Sequence, residues 1–249
     1  MRALIASLLV AMLAGTACAA DEAACFVAGH LVQADFALPR VAAAIAAKHL
    51  KIVVLGSASS ALPGQEGVAK AYPARLEDSL ARRLPGVDVK VVTHTKARDK
   101  AIEMGKTLEL VVAEDKPDLV IWQTGTVDAM LGVDPDDFRS ALDEGVDTLQ
   151  AGKADTVFMN MQYSPRTESV IAAGSYEDAM RFVALQYEVL LFDRFAIMRH
   201  WSEMGTFDLF ATTKKTDTAE HVHDCLGRLL ADVIVEAAGM VETPTKEVH

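Results

Sequence analysis

The sequence predicts an α/β protein, a single three-layer domain with helices on both faces of an open, mostly parallel sheet. Three observations carry that expectation. Short β-branched apolar runs alternate with segments of helical periodicity. Those runs are near-continuously apolar, as strands covered on both faces must be. No repeat, low-complexity stretch or linker divides the 249 residues, of which 51% are hydrophobic, so one sizeable core suffices.

The elements follow in order. Residues 1–19 read as an export signal: Met1 and Arg2 form a short positive start, residues 4–15 are apolar but short for a bilayer, and Ala17-Cys18-Ala19 offers a small-x-small cleavage site. Residues 20–50 form a lead-in ending in a short helix, "RVAAAIAAKH". The main domain is expected over residues 51–240. Its first strand is "KIVVL" (51–55), ended by Gly56. Tyr72, Leu76 and Leu80 step by four along a helix that Pro85 and Gly86 stop. Strands are expected at 87–92, 118–123 and 155–161, and helices at 101–114, 135–150 and, as one long element, 176–201. In the closing helix Val222, Cys225, Leu226, Leu229, Leu230, Val233, Ile234 and Ala237 make one apolar stripe, with Asp217 and Glu220 in the spacing of an N-terminal cap. The tail over residues 241–249 is expected to be disordered. Ligand sites of such sheets gather at the C-terminal ends of the strands, which places residues 56–60, 124–128 and 162–164 on one rim.

A formal charge of −11 excludes nucleic acid and an acidic membrane surface as partners, because like charges repel. After the signal no stretch is long and apolar enough to span a bilayer. The expected location is therefore periplasmic or secreted. A lipid anchor through Cys18 is disfavoured, since Gly15 stands where a large aliphatic residue is needed. Loss of the signal leaves Cys25 and Cys225, which in an oxidising compartment can form a disulfide or remain as two buried thiols; the bridge is the favoured reading.

The rim segments resemble those of the SGNH, or GDSL, hydrolases, in particular an exported bacterial branch whose first motif reads "GSSST". The segments "IVVLGSASSAL", "AYPARLEDSLARRLPGVDVKVV", "PDLVIWQTGTVDAML", "DTVFMNMQYSP" and "DCLGRLLADVI" follow that branch in order and spacing. The resemblance implies a flavodoxin-like sheet and a serine ester hydrolase. Such an enzyme needs a serine two residues after the first glycine, oxyanion donors from a glycine and an asparagine after the second and third strands, and an Asp-x-x-His pair before the last helix. Here the nucleophile position is Ala58, the asparagine position is Val127, and the glycine position falls on Arg98. The pair aligns in two ways. With His221 as the histidine, Thr218 replaces the aspartate; anchored on "CLGRLLADVI", the two positions are Lys214 and Asp217. The resemblance thus implies a catalytically degenerate member.

Three rescues are open to the residues themselves. Ser57 or Ser59 could replace the nucleophile, but each projects differently from the turn, and misplacement of about 1 Å costs on the order of 100-fold. Polar lining is the simpler role. His221 lacks a carboxylate three residues before it, and Glu220 with His223 reads better as a capping acid beside a surface histidine. A metal on His221, His223 and Asp224 is rejected, because positions i and i+2 of a helix diverge; His94 and His200 lack ligand spacing.

The expectation is a rim pocket lined by Ser57, Ala58, Ser59, Gln123, Gly125, Thr126, Val127 and Asp128, with no metal and no cofactor. It would bind an acylated or glycan ligand, or an envelope protein partner, without turnover. The alternative is an active esterase or deacetylase on acyl esters or acetylated glycans, with Ser57, Ser59 and His221 as fallback residues. A third reading is a structural envelope protein.

Overall fold

A computed structural model describes residues 25–210 and 216–239, excluding the side chain at 216. The signal, Cys18, Lys214 and the tail lie outside the described residues. After the helix α1 (Pro39–Ala46), the chain runs β1 (His49–Gly56), α2 (Tyr72–Arg83), β2 (Asp88–Thr95), α3 (Ala101–Asp115), β3 (Leu119–Gln123), α4 (Thr126–Leu131), α5 (Pro135–Ala151), β4 (Asp155–Met159), α6 (Gly174–Gln186), β5 (Leu190–Phe192), α7 (Arg194–Glu203) and α8 (Thr216–Ala237). Single helical turns at Gly67–Lys70 and Pro165–Glu168 interrupt the loops.

The sheet is five-stranded and parallel throughout, in the order β2-β1-β3-β4-β5. Ile52 faces Leu119 and Leu55 faces Trp122 across β1 and β3. The strands β1, β3 and β4 are almost wholly buried, which explains their unbroken apolar sequences. On one side α2 packs against α8; on the other, α3, α5 and α6 pack in succession. This three-layer α/β/α arrangement is the predicted class.

Close packing requires small residues at defined points. A Cβ on Gly145 of α5 would stand 2.2 Å from the Trp122 ring, so glycine lets the helix settle onto the widest side chain of β3. The lead-in shares this core: Cys25, Val27, Leu38, Val41 and Ile45 are buried in the same cluster as the strands. A Cys25–Cys225 disulfide ties it to α8 across 200 residues, as the favoured reading of the cysteines expects.

The predicted long helix over 176–201 is instead α6, β5 and α7. Its apolar positions do continue, but Glu188 adopts a left-handed backbone (φ 54°) that ends the helix. Leu190–Phe192 then pairs with Val157, Phe158 and Met159. The predicted strand over 155–161 stops at Met159.

Candidate functional site

At the rim, β1 ends in Gly56 and turns through a 3-10 segment at Ala58–Ser60. A Cβ on Gly56 would meet Ser60 Oγ at 2.4 Å and Gln123 Oε1 at 3.0 Å, so glycine allows the turn to close over Gln123. Gln123 is the last residue of β3 and fully buried. Its Oε1 faces four donors: the Ser57 amide at 3.2 Å and the hydroxyls of Ser57, Ser59 and Ser60 at 3.4, 3.1 and 2.8 Å. A carbonyl oxygen has two lone pairs. The four donors share them, and the Ser57 and Ser59 hydroxyls are themselves 3.4 Å apart. Gln123 Nε2 is buried without a partner among the described residues.

Beneath this turn lies a cation. Arg194, the first residue of α7, is buried, and its Nη1 donates to the Ser59 carbonyl at 3.5 Å. Its Nε and Nη2 have no partner among the described residues. Burial lowers its pKa to about 10, so it remains charged at neutral pH. The nearby Tyr72 hydroxyl is 3.0 Å from Ser60 Oγ; burial raises it to about 12 and keeps it neutral.

His223 completes the group. Its Nδ1 accepts from the Tyr72 amide at 3.0 Å, which places the proton of the neutral ring on Nε2. Burial, and then the charge of Arg194, hold its pKa down to about 4. His223 and Ala58 both line a cavity of about 490 Å³. Ser59, Leu62, Met198, Phe210 and Glu220 form other parts of its wall. Gln162 and Ser164, from the third predicted rim segment, also reach it.

Of the residues expected in the pocket, Ala58 and Ser59 line this cavity, while Ser57 and Gln123 are buried behind it. Gly125, Thr126, Val127 and Asp128 are not in its wall. The reason is α4: its Asp128 is buried and accepts from the Ala101 amide at 3.0 Å, which draws this segment towards the start of α3. Burial raises the Asp128 pKa despite that bond. Arg98 is exposed with a left-handed backbone (φ 68°).

One histidine assignment is corrected. His221 is exposed and outside the cavity wall, whereas His223, read as a surface residue, faces inward. The helix begins at Thr216, so residue 223 falls on the face of α8 that meets α2. Glu220 pairs with Lys70 at 3.1 Å. Arg194 was missed because it follows β5, which the helical pattern hid. Among the described residues no cluster of acidic, His or Cys side chains could hold a metal. No helix there is long and apolar enough to cross a membrane.

The sequence model of the non-GDSL lipase-like family matches residues 24–240. The chain belongs to that family. Among curated proteins none matches it. Solved structures place this non-GDSL lipase-like chain in the SGNH/GDSL hydrolase fold. TesA is 20% identical with a TM-score of 0.60, covering 75% of this chain and 99% of its own. The psychrotrophic esterase EstA from Pseudoalteromonas sp. is 16% identical (TM-score 0.58; 75% and 97% covered). A catalytic mutant of Axe2, an acetylxylan esterase from Geobacillus stearothermophilus, is 17% identical (TM-score 0.58; 76% and 94% covered).

Proposed function

We propose that this non-GDSL lipase-like protein is an exported, non-catalytic binding protein of the cell envelope, holding an acylated ligand in the cavity beside Ala58. The observation that carries the reading is the pairing of Ala58 with His223. The family position for the nucleophile has no hydroxyl, and the one histidine in the cavity wall among the described residues has its Nδ1 committed to a backbone amide. That ring offers a proton and does not take one. With a pKa near 4 it is also a weak base at neutral pH. Residues 1–19 serve as the export signal and residues 51–240 as the binding domain. The disulfide supports an oxidising compartment.

Ser59 favours a second reading, an active esterase or deacetylase, because its hydroxyl lines the same cavity as His223. Fluorophosphonate labelling followed by intact mass separates the two. The binding reading predicts an unlabelled protein beside a reactive esterase run in parallel. Stoichiometric labelling that disappears in Ser59→Ala or Ser57→Ala would establish the esterase and identify its nucleophile.

A further inference from the structure

We propose that the cavity takes a single-chain amphiphile by its carboxylate, the head set against Ser59 and His223 above Arg194 and the chain lying towards Leu62, Met198 and Phe210. The inference deepens the binding reading and rests on it.

Its basis is an excess of donors at one end of the cavity. Behind that end lie partnerless buried atoms, Gln123 Nε2 and Nε and Nη2 of Arg194, all of them donors. His223 adds its Nε2–H, and the Ser59 hydroxyl, 3.1 Å from Gln123 Oε1, also belongs to a lining residue. Among the described residues no carboxylate balances them. Of the acids in the wall, Glu220 is engaged by Lys70, and Asp208 is exposed and accepts from the Phe210 amide at 3.2 Å. A guanidinium buried with one 3.5 Å contact lacks the counter-charge that buried cations require. An anion at Ser59 and His223 supplies that charge from the cavity side and accepts from the His223 Nε2–H, a bond that is stronger to an ionised acceptor. A neutral ester or a sugar hydroxyl can accept a hydrogen bond but supplies no charge.

The remaining wall is of the opposite character. Leu62, Met198, Leu209 and Val222 line it, and Phe210 stands 70% exposed. An alkyl chain would cover these surfaces, and the volume lies within the range of small-molecule sites. Arg166 also lines the cavity, but it is exposed and marks the solvent side.

The test is calorimetric titration of the mature protein at pH 7.5 with laurate, dodecanol and dodecyl phosphate, alongside a hydrolysis assay on a dodecanoyl ester. Laurate is expected to bind at least about tenfold more tightly than dodecanol. In Arg194→Met the two should agree within about twofold, with the melting temperature held or raised because a buried charge has gone. Arg194→Lys and Arg166→Gln should keep the preference. Equal binding of laurate and dodecanol by the unaltered protein, or binding of neither, overturns the proposal whether or not the variants fold. A preference for dodecyl phosphate, or one that vanishes in Arg166→Gln and survives in Arg194→Met, overturns it too. Turnover of the ester would instead overturn the non-catalytic reading, a separate outcome.

Discussion

On the binding reading, Ala58 and His223 belong together, because a serine at position 58 alone would still lack a base. In Ala58→Ser a hydroxyl enters the position that the resemblance gives to the nucleophile, but Nδ1 of His223 in the cavity wall remains bonded to the Tyr72 amide. Ester hydrolysis by this variant is expected to stay within about tenfold of the unaltered protein, measured on p-nitrophenyl acetate; a gain of about 100-fold or more would mean that a base is available. The same histidine sets a pH dependence. Its folded pKa of about 4 lies below the ordinary 6.5, so between those values the unfolded chain binds the extra proton. Its contribution is complete above pH 6.5, falls as the pH drops, and is lost below pH 4. The loss should be about 1–3 kcal/mol, the partial solvent access of the ring setting the lower figure. Urea unfolding from pH 7.5 to 4 should show it, and His223→Gln should flatten that part of the profile. The rim position of Ala58 at the end of β1 was legible in the sequence because it falls inside an ordered motif. The role of His223 was not, since it depends on where α8 begins and on an amide of α2 distant in the chain.

Elements were legible where one periodicity dominated. The strands β1 and β3 and the closing α8 announce themselves by unbroken apolar runs or a continuous stripe, and their boundaries shift by only a few residues. The failure at 176–201 has a physical cause. A three-residue strand carries too little pattern to interrupt a helical reading, and only pairing with β4 selects it. That error also concealed Arg194, whose burial follows from its place directly after β5. Where α5 crosses the sheet, the fit is tight enough to test. Gly145→Ala puts a Cβ 2.2 Å from the Trp122 ring, which is packed from both sides and cannot retreat freely. The helix-propensity gain of about 1 kcal/mol should be outweighed by overpacking. A net loss of about 1–3 kcal/mol is expected in chemical denaturation, with unchanged far-ultraviolet circular dichroism. A more stable variant would show that α5 can move off the sheet at little cost.

For the whole molecule, the lead-in matters as much as the sheet. Cys25 and Val27 are buried, the Trp201 indole donates to the Phe26 carbonyl at 3.2 Å, and the Leu38 amide donates to the Ala237 carbonyl at 3.1 Å. The disulfide therefore joins surfaces that already meet, and it closes a loop spanning nearly the whole described chain. Constraint of so long a loop in the unfolded state gives roughly 5 kcal/mol in the chain-entropy account, with 2–5 kcal/mol about the range seen when such bridges are removed. Reduction, or Cys25→Ser, should lower the unfolding free energy by about 2–5 kcal/mol. The core around β1, β3 and β4 does not depend on the bridge, so the reduced protein should still fold at moderate temperature. Because α8 also carries His223, loosening its tie to the lead-in should weaken laurate binding before the sheet melts. Parallel thermal scans by circular dichroism and laurate titration on oxidised and reduced protein would check this. Loss of binding only at the global transition would show that α8 is held by α2 alone, and that the bridge stabilises the fold without shaping the cavity.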